Sequence, residues 1–141
     1  MIYLDTNIII YAIENNLKYG NSCKKILSDI ESNKLKAGSS TIVLVEIINV
    51  LTKINKVLKE KGEKELNIRD NVDAVLSLPI IWFDLNFFIV KKAAEYDYNV
   101  SGIDYIHLAS MEVNWITKII SADKELDKVD FIKRLDPVNY K

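Results

Sequence analysis

Four acidic residues occupy positions at which a carboxylate could bind a ligand. Three of them lie next to apolar segments and one interrupts a long apolar run: Asp5, Asp104, Asp123 and Glu46. In an open α/β sheet, ligands bind beyond the carboxyl ends of the strands. Carboxylates gathered at that edge repel one another, so some of them stay protonated unless cations bind. A set of ligands made only of oxygen atoms suits Mg²⁺ or Mn²⁺ rather than zinc.

Asp5 ends the first apolar segment of the sequence. That segment, Ile2–Leu4, is too apolar to have one solvated face, which is typical of a buried strand. Thr6 and Asn7 follow directly and lead into a second apolar run with the length of a helix. A strand that ends in an acid and turns straight into a helix places the acid at the ligand-binding edge. Asp5 and Asn7 can equally shape a turn by bonding nearby backbone N–H groups, and these residues alone leave both interpretations open.

Glu46 lies inside a predicted helix, residues 41–51, that is apolar on nearly every side. A helix of this kind is normally buried. A buried carboxylate is rare unless it is paired with a cation or binds a metal. The nearest lysine on the same helical face is Lys53, so an ion pair within the helix is the weaker explanation. We therefore expect a cation from elsewhere, such as a metal ion, beside Glu46.

Asp104 stands at the start of another predicted helix, residues 104–114. Ser101 precedes it by three positions, which is the spacing of a capping box, and an acid in a first helical turn is also favoured by the helix dipole. His107 lies one turn further on and could be a metal ligand. A single histidine among apolar neighbours is more often a packing residue, and we predict that role for His107.

Asp123 repeats the arrangement seen at Asp5. It follows the apolar pair Ile119-Ile120 and precedes a predicted helical turn, residues 123–128. An ordinary helix cap is the alternative explanation. Asp84 also follows a predicted strand, but Asn86 comes next and the acid can simply begin the following helix.

Strands alternate with helices along the whole sequence. Predicted strands cover residues 2–4, 35–38, 80–83, 115–120 and 131–135. Predicted helices cover residues 6–14, 41–51 and 104–114, a segment from Asn67 to residue 78, and two segments that begin with a capping residue, Asn21 or Ser22 in one and Asn86 in the other. In the helix that begins at Asn86, we expect the inward side to carry Phe87, Val90, Ala93, Ala94 and Tyr98. This alternation predicts an α/β fold with a mostly parallel sheet covered on both faces. We expect residues 1–141 to form one domain.

The composition limits the class of protein. The 141 residues are 49% hydrophobic and 28% charged, as in an ordinary soluble globular chain. Cys23 is the only cysteine, which excludes an internal disulfide and a cysteine-rich zinc site and fits a reducing cytoplasm. We expect no leader sequence and no membrane-spanning segment, because no signal-peptide pattern precedes Asp5 and no apolar run is long enough to span a membrane. The formal charge of −1 predicts no overall basic face, so contact with nucleic acid needs a local patch or a bound cation.

The most polar stretch of the chain is residues 53–65. It holds five lysines and three glutamates, Lys53, Lys56, Lys59, Lys61 and Lys64 against Glu60, Glu63 and Glu65. We interpret this stretch as a solvated helix end followed by a loop, with Gly62 ending the helix. Contact with a nucleic-acid backbone is the alternative.

Taken together, these motifs resemble the PIN-domain nucleases, and within them the small VapC-type toxins of toxin–antitoxin pairs. The resemblance covers nearly the whole chain. It rests on Tyr3-Leu4-Asp5-Thr6-Asn7, on Glu46, on Asp104 with His107-Leu108-Ala109, and on Ser121-Ala122-Asp123. It departs from the pattern at Leu126, where relatives often have an aromatic residue.

The resemblance implies a three-layer α/β/α fold with a central sheet of order 3-2-1-4-5. It implies an endoribonuclease that uses Mg²⁺ or Mn²⁺, with Asp5, Glu46, Asp104 and Asp123 as catalytic acids and Asp5, Asp104 and Asp123 as metal ligands. Thr6, Asn7 and Ser121 would hold the acids or a water in place. It also implies a small antitoxin partner, and the apolar helices at Ile8-Ile9-Ile10 and residues 43–51 suggest a homodimer.

Two alternatives come from a different functional class. A phosphorylation-receiver domain would use Asp84 as its acceptor, but it needs a second acid beside Asp5 and a lysine after the last strand. Thr6-Asn7 and Asp136 occupy those places. The other alternative is an inactive PIN-like module that only binds a partner.

Overall fold

The computed structural model describes residues Met1–Lys141 and contains one five-stranded sheet in which every neighbouring pair is parallel. The strands are β1 Ile2–Leu4, β2 Ala37–Ser40, β3 Ile81–Phe83, β4 Lys118–Ile120 and β5 Lys133–Leu135, in the order β3-β2-β1-β4-β5. The predicted α/β class and strand order are confirmed. Receiver-type sheets have the order 2-1-3-4-5, so the receiver alternative is wrong.

Six α-helices connect the strands. They are α1 Thr6–Ile13, α2 Gly20–Glu31, α3 Ile42–Glu60, α4 Ile68–Leu76, α5 Phe87–Ala93 and α6 Gly102–Val113, and two short 3₁₀ helices cover Lys124–Lys128 and Pro137–Asn139. None of these helices combines the length and the apolar character that a membrane span requires. Four of the six α-helices have a side-chain cap at the start, from Asp5, Asn67, Asn86 and Ser101.

The two faces of the sheet carry separate hydrophobic cores. Successive side chains of a strand point to opposite faces. Leu4 and Ile120 pack on one face against apolar residues of α1, α2, α3 and α4. Tyr3 and Ile119 pack on the other face against Met111 of α6. The sheet therefore lies between two helical layers, as the predicted three-layer architecture requires.

Several predicted boundaries move. β2 begins two residues later than predicted and includes Ser39 and Ser40. Ser40 lies in the strand but also bonds the start of α3, because its hydroxyl accepts a hydrogen bond from the N–H of Ile42. β3 begins at Ile81, one residue later than predicted, and it is an edge strand in which half of the Ile81 surface is exposed (50%). α2 begins at Gly20 and not at Asn21 or Ser22, since Asn16 closes the preceding turn by accepting from two N–H groups.

The helices also differ from prediction in which side they bury. On α5 the residues Ile89 and Ala93 are buried, whereas Phe87 is 95% exposed and Val90 is 47% exposed. The prediction that Phe87 and Val90 face inward is therefore wrong.

α3 continues to Glu60, so much of the lysine-rich stretch is helical, and Gly62 follows with φ of 69°. That left-handed backbone favours glycine and ends the helix.

Candidate active site at the carboxyl edge of the sheet

Asp5 is buried at the point where β1 turns into α1. Its Oδ1 accepts a hydrogen bond from the N–H of Thr6 at 2.7 Å. Its Oδ2 accepts from the Ser121 hydroxyl at 2.5 Å and from the Asn7 side chain at 3.2 Å. The cap at Thr6 agrees with the turn-shaping interpretation. The two bonds to Oδ2 come from side chains, however, so the carboxylate is fixed on both oxygens.

Ser121 and Asn7 join the ends of two neighbouring strands. The Ser121 hydroxyl, which donates to Asp5, accepts from the Asn7 side chain at 3.2 Å and from the N–H of Asp123 at 3.0 Å. The amide oxygen of Asn7 accepts from the N–H of Ala122 at 3.3 Å. A hydroxyl has one proton and two lone pairs, so Ser121 is fully satisfied and has a single orientation. The turn after β4 is thereby fixed to the turn after β1.

Glu46 approaches the same edge from α3. Its Oε1 accepts from the Thr6 hydroxyl at 2.6 Å and lies 3.1 Å from Nε2 of His107. The Glu46 side chain is 26% exposed, so the prediction of a helix buried on all sides is wrong. Val45 and Ile48 are exposed on the outer side of α3. The ring of His107 is the residue beside Glu46 that can carry a positive charge. The expected metal ion beside Glu46 stays a prediction.

His107 is the residue whose role the sequence did not reveal. Its ring is only 2% exposed, in agreement with a packing role, but both ring nitrogens have polar partners. Nδ1 lies 2.6 Å from the Tyr3 hydroxyl and Nε2 contacts Glu46. Burial lowers the pKa of this histidine, while the Glu46 hydrogen bond and the charges of Asp5, Glu46 and Asp104 outweigh burial and raise the pKa overall. The available signal was its position one helical turn after Asp104.

Asp104 lies in the first turn of α6 and forms half of a capping box with Ser101. Its N–H donates to the Ser101 hydroxyl at 3.2 Å and its Oδ2 accepts from the N–H of Ser101 at 3.4 Å. Burial raises the pKa of Asp104 most, and the charges of Asp5 and Asp123 raise it further, against the lowering effects of Ser101 and His107. The charges of Asp5 and Asp123 therefore favour the protonated form of Asp104.

Asp123 caps the 3₁₀ helix after β4. Its Oδ1 accepts from the N–H of Glu125 at 3.0 Å, so the predicted capping role is present. Its other oxygen has no hydrogen-bond partner in the protein, and the same is true of Oδ1 of Asp104 and Oε2 of Glu46. Three of the four acids thus keep one oxygen free for a ligand.

The structure joins three of the four acids through shared partners and not through direct contact, whereas Asp104 bonds only Ser101. Thr6 and His107 connect Asp5 with Glu46, and Ser121 connects Asp5 with Asp123. No three acidic, histidine or cysteine side chains lie close enough together to hold one metal ion. The donor chemistry nevertheless fits Mg²⁺, which prefers oxygen ligands and binds through one or two carboxylates while it keeps several waters.

Comparison with known proteins identifies the family. The sequence model of the PIN domain matches residues 2–132 of this chain. The chain belongs to the PIN domain family. The predicted family resemblance is therefore confirmed over nearly the whole length. No curated protein matches the sequence at a significant level.

Solved structures share the fold of this PIN domain. A toxin–antitoxin complex from Klebsiella pneumoniae is 16% identical with a TM-score of 0.65, and the match covers 97% of this chain and 98% of the other. VapBC2 from Rickettsia felis, bound to a promoter DNA fragment, is 21% identical with a TM-score of 0.67 over 96% and 98% of the chains. VapC20 from Mycobacterium tuberculosis, a toxin that cleaves the sarcin-ricin loop, is 16% identical with a TM-score of 0.70 over 94% and 97%.

Proposed function

We propose that this PIN domain is a metal-dependent endoribonuclease that hydrolyses RNA phosphodiester bonds as the toxin of a toxin–antitoxin pair. The observation that carries the proposal is the network in which Ser121, Asn7 and Thr6 fix both oxygens of buried Asp5. So many donors directed at one buried acid give a rigid site. The names of the structural neighbours support RNA as the substrate class and an antitoxin as a partner.

In this proposal Asp5, Glu46, Asp104 and Asp123 are the catalytic acids. Asp5, Asp104 and Asp123 hold Mg²⁺ or Mn²⁺, and Thr6, Asn7 and Ser121 keep the acids in place. A divalent cation bound there supplies positive charge to the phosphate and lowers the pKa of a water molecule. The free oxygen of Glu46, which is not among the proposed metal ligands, would be available to orient that water by accepting a hydrogen bond.

The chain offers no other set of residues for nucleophilic catalysis. It has one histidine, so a mechanism that needs two histidines is excluded. Its one cysteine, Cys23, is buried, and burial raises the pKa of the thiol to about 12. A thiol of that kind is inert as a nucleophile at neutral pH. A free, buried thiol is also compatible with the cytoplasm as the place of action.

Self-association forms a second part of the proposal. Exposed apolar side chains on α3 and around α5, namely Val45, Ile48, Phe87 and Phe88, support a second copy of the chain as a partner. The prediction that Ile8, Ile9 and Ile10 take part in such a contact is wrong, because all three are buried within the chain itself. We propose one PIN-like domain over residues 1–141, with a homodimer and a small antitoxin as its protein partners.

The decisive experiment is cleavage of single-stranded and looped RNA by the purified protein. Mg²⁺ or Mn²⁺ should support cutting, EDTA should abolish it, and Asp5→Asn should reduce it by orders of magnitude because the charge of a fixed metal ligand is lost. Asp84→Asn is the matched control, since Asp84 also follows a strand but is exposed and lies at the edge strand β3. A wild-type protein that cuts no RNA would favour the inactive, partner-binding module. Cutting that survives Asp5→Asn would contradict the role proposed for Asp5.

A further inference from the structure

The two contacts of the Glu46 carboxylate end on the same oxygen. The Thr6 hydroxyl and Nε2 of His107 both reach Oε1, and Oε2 has no partner in the protein. A carboxylate fixed through one oxygen can still present the other to a ligand. The direction in which Oε2 is presented therefore depends on what holds Oε1.

The proton on the His107 ring can be assigned from its partners. The N–H of Ser40 donates to the Tyr3 hydroxyl oxygen at 3.0 Å. The Tyr3 proton is then free to point at Nδ1 of His107, 2.6 Å away. Nδ1 acts as the acceptor in a neutral ring, so Nε2 carries the proton and donates to Glu46. A charged ring has a proton on Nε2 as well, so this donor is present in both states.

Burial prevents the ring from taking another orientation. Tyr3 is fully buried in the centre of the sheet and His107 is nearly so. The two rings meet edge to face, with centroids 5.5 Å apart and planes at 67°. Protein interiors are packed too densely for a ring to turn freely without a cavity beside it. Tyr3 of β1 thus holds the His107 ring in one orientation, and the ring in turn holds Oε1 of Glu46.

We propose that Tyr3 and His107 are positioning residues that hold Oε1 of Glu46 and leave Oε2 directed to the ligand in the cleft. The inference rests on the proposed function, because it gives Glu46 its orientation in that site. Neither residue touches substrate. They act by orienting the Glu46 carboxylate, so mutations of Tyr3 or His107 should matter only while Glu46 is present.

The first test is spectroscopic and needs no RNA. His107 is the only histidine, so the ¹⁵N resonances of its ring identify the protonated nitrogen without further assignment. In the neutral ring of the wild type, we expect the proton on Nε2. In Tyr3→Phe the donor to Nδ1 is lost, and a share of the ring should move its proton to Nδ1. A wild-type ring protonated on Nδ1, or an unchanged spectrum in Tyr3→Phe, would overturn the proposal.

The second test asks whether His107 acts through Glu46. His107→Leu should lower kcat about 10- to 100-fold with little change in KM, the usual loss when a residue that supports a metal site from outside is removed. His107→Gln keeps an N–H donor near Nε2 and should recover much of that loss. In a Glu46→Gln background, His107→Leu should add little, because the two changes interrupt one path. Equal kcat values for the Leu and Gln variants, or full additivity, would contradict the proposal.

Metal binding separates this inference from the proposed function. Mn²⁺ titrated into the protein without RNA should bind more weakly to His107→Leu than to the wild type and His107→Gln, because the charge of Glu46 would no longer be held in a fixed place beside the ion. If the wild type cuts no RNA, the proposed function fails, while the ring spectrum and the Mn²⁺ titration still decide the role of His107. If RNA is cut and Mn²⁺ binds equally well to all three proteins, only the positioning role is wrong.

Discussion

The hydroxyl of Ser121 donates a 2.5 Å hydrogen bond to Oδ2 of Asp5, across the boundary between strands β4 and β1. The pairing of Leu4 with Ile120 places these two residues side by side at the ends of their strands. A slip of one residue would turn every side chain of the strand to the other face. The register of two short strands therefore determines the geometry of the acidic site.

Ser121→Ala should lower RNA-cleaving activity about 10- to 100-fold, as is typical for a residue that orients a metal ligand. The substitution removes a donor to Asp5 and leaves the N–H of Asp123 without its acceptor. Initial cleavage rates at saturating Mg²⁺ would measure the loss. Ser77→Ala is the matched control, because that hydroxyl bonds only a carbonyl at an exposed helix end. Similar rates for both variants would remove Ser121 from the site.

The ends of the RNA fragments should identify the nucleophile. Attack by water leaves a 5′-phosphate and a 3′-hydroxyl, whereas attack by the ribose 2′-hydroxyl leaves a cyclic phosphate. Because the proposed mechanism uses water activated by a divalent cation as the nucleophile, we expect only the first. Ligation assays and mass spectrometry of the fragments distinguish the two. A cyclic phosphate would refute hydrolysis.

Lysines on α3 should bind the RNA backbone. Lys53 lies on the same helical face as Glu46, about 10 Å further along the axis. Neither Lys53 nor Lys56 pairs with an acid, and both are exposed. In an Asp5→Asn background, replacing both Lys53 and Lys56 with Gln should weaken RNA binding. The slope of log affinity against log salt concentration should become shallower by about 0.7 for each phosphate that is no longer neutralised.

Lys34→Gln is the control for this charge change, because Lys34 is exposed on the turn before β2 at the opposite edge of the sheet. Fluorescence anisotropy at several salt concentrations gives both the affinity and the slope. Equal slopes in the two variants would show that the lysine-rich stretch is only a solvated surface.

Asp29 should make the free energy of unfolding depend on pH in the acidic range. Lys25 and Tyr140 donate to its Oδ2 at 2.7 Å and 2.8 Å, and these bonds lower the pKa of the carboxyl. Its folded pKa is below its unfolded value, so the stabilisation is present above the unfolded pKa of about 3.9 and is lost as pH falls through the folded pKa. Asp29→Asn should unfold at lower urea than wild type at pH 7, and the gap should close in strong acid. A gap that persists in strong acid would refute this linkage.

The elements that carry the acids could be predicted because each follows a local pattern. Asp5 and Asp123 stand after short apolar runs, and Ser101 and Asp104 have capping-box spacing. The role of His107 could not be predicted, since Tyr3 and Glu46 are remote in sequence and only the fold brings them together. The buried side of α5 could not be predicted either. A helical period shows that one side is apolar but not which neighbour covers it, and Phe87 lies on the uncovered side.

The central position of β1 has a consequence for synthesis. β1 pairs with β2 and with β4, which the ribosome adds only after α6 is complete. A nascent or truncated chain that stops before β4 already carries Asp5, Glu46 and Asp104 but lacks Ser121, so Asp5 lacks one of the two side chains that bond its Oδ2. Because contacts between distant segments form late, the cleft assembles only near the end of translation. An interrupted reading frame would therefore release a chain with three of the four acids and no assembled active site.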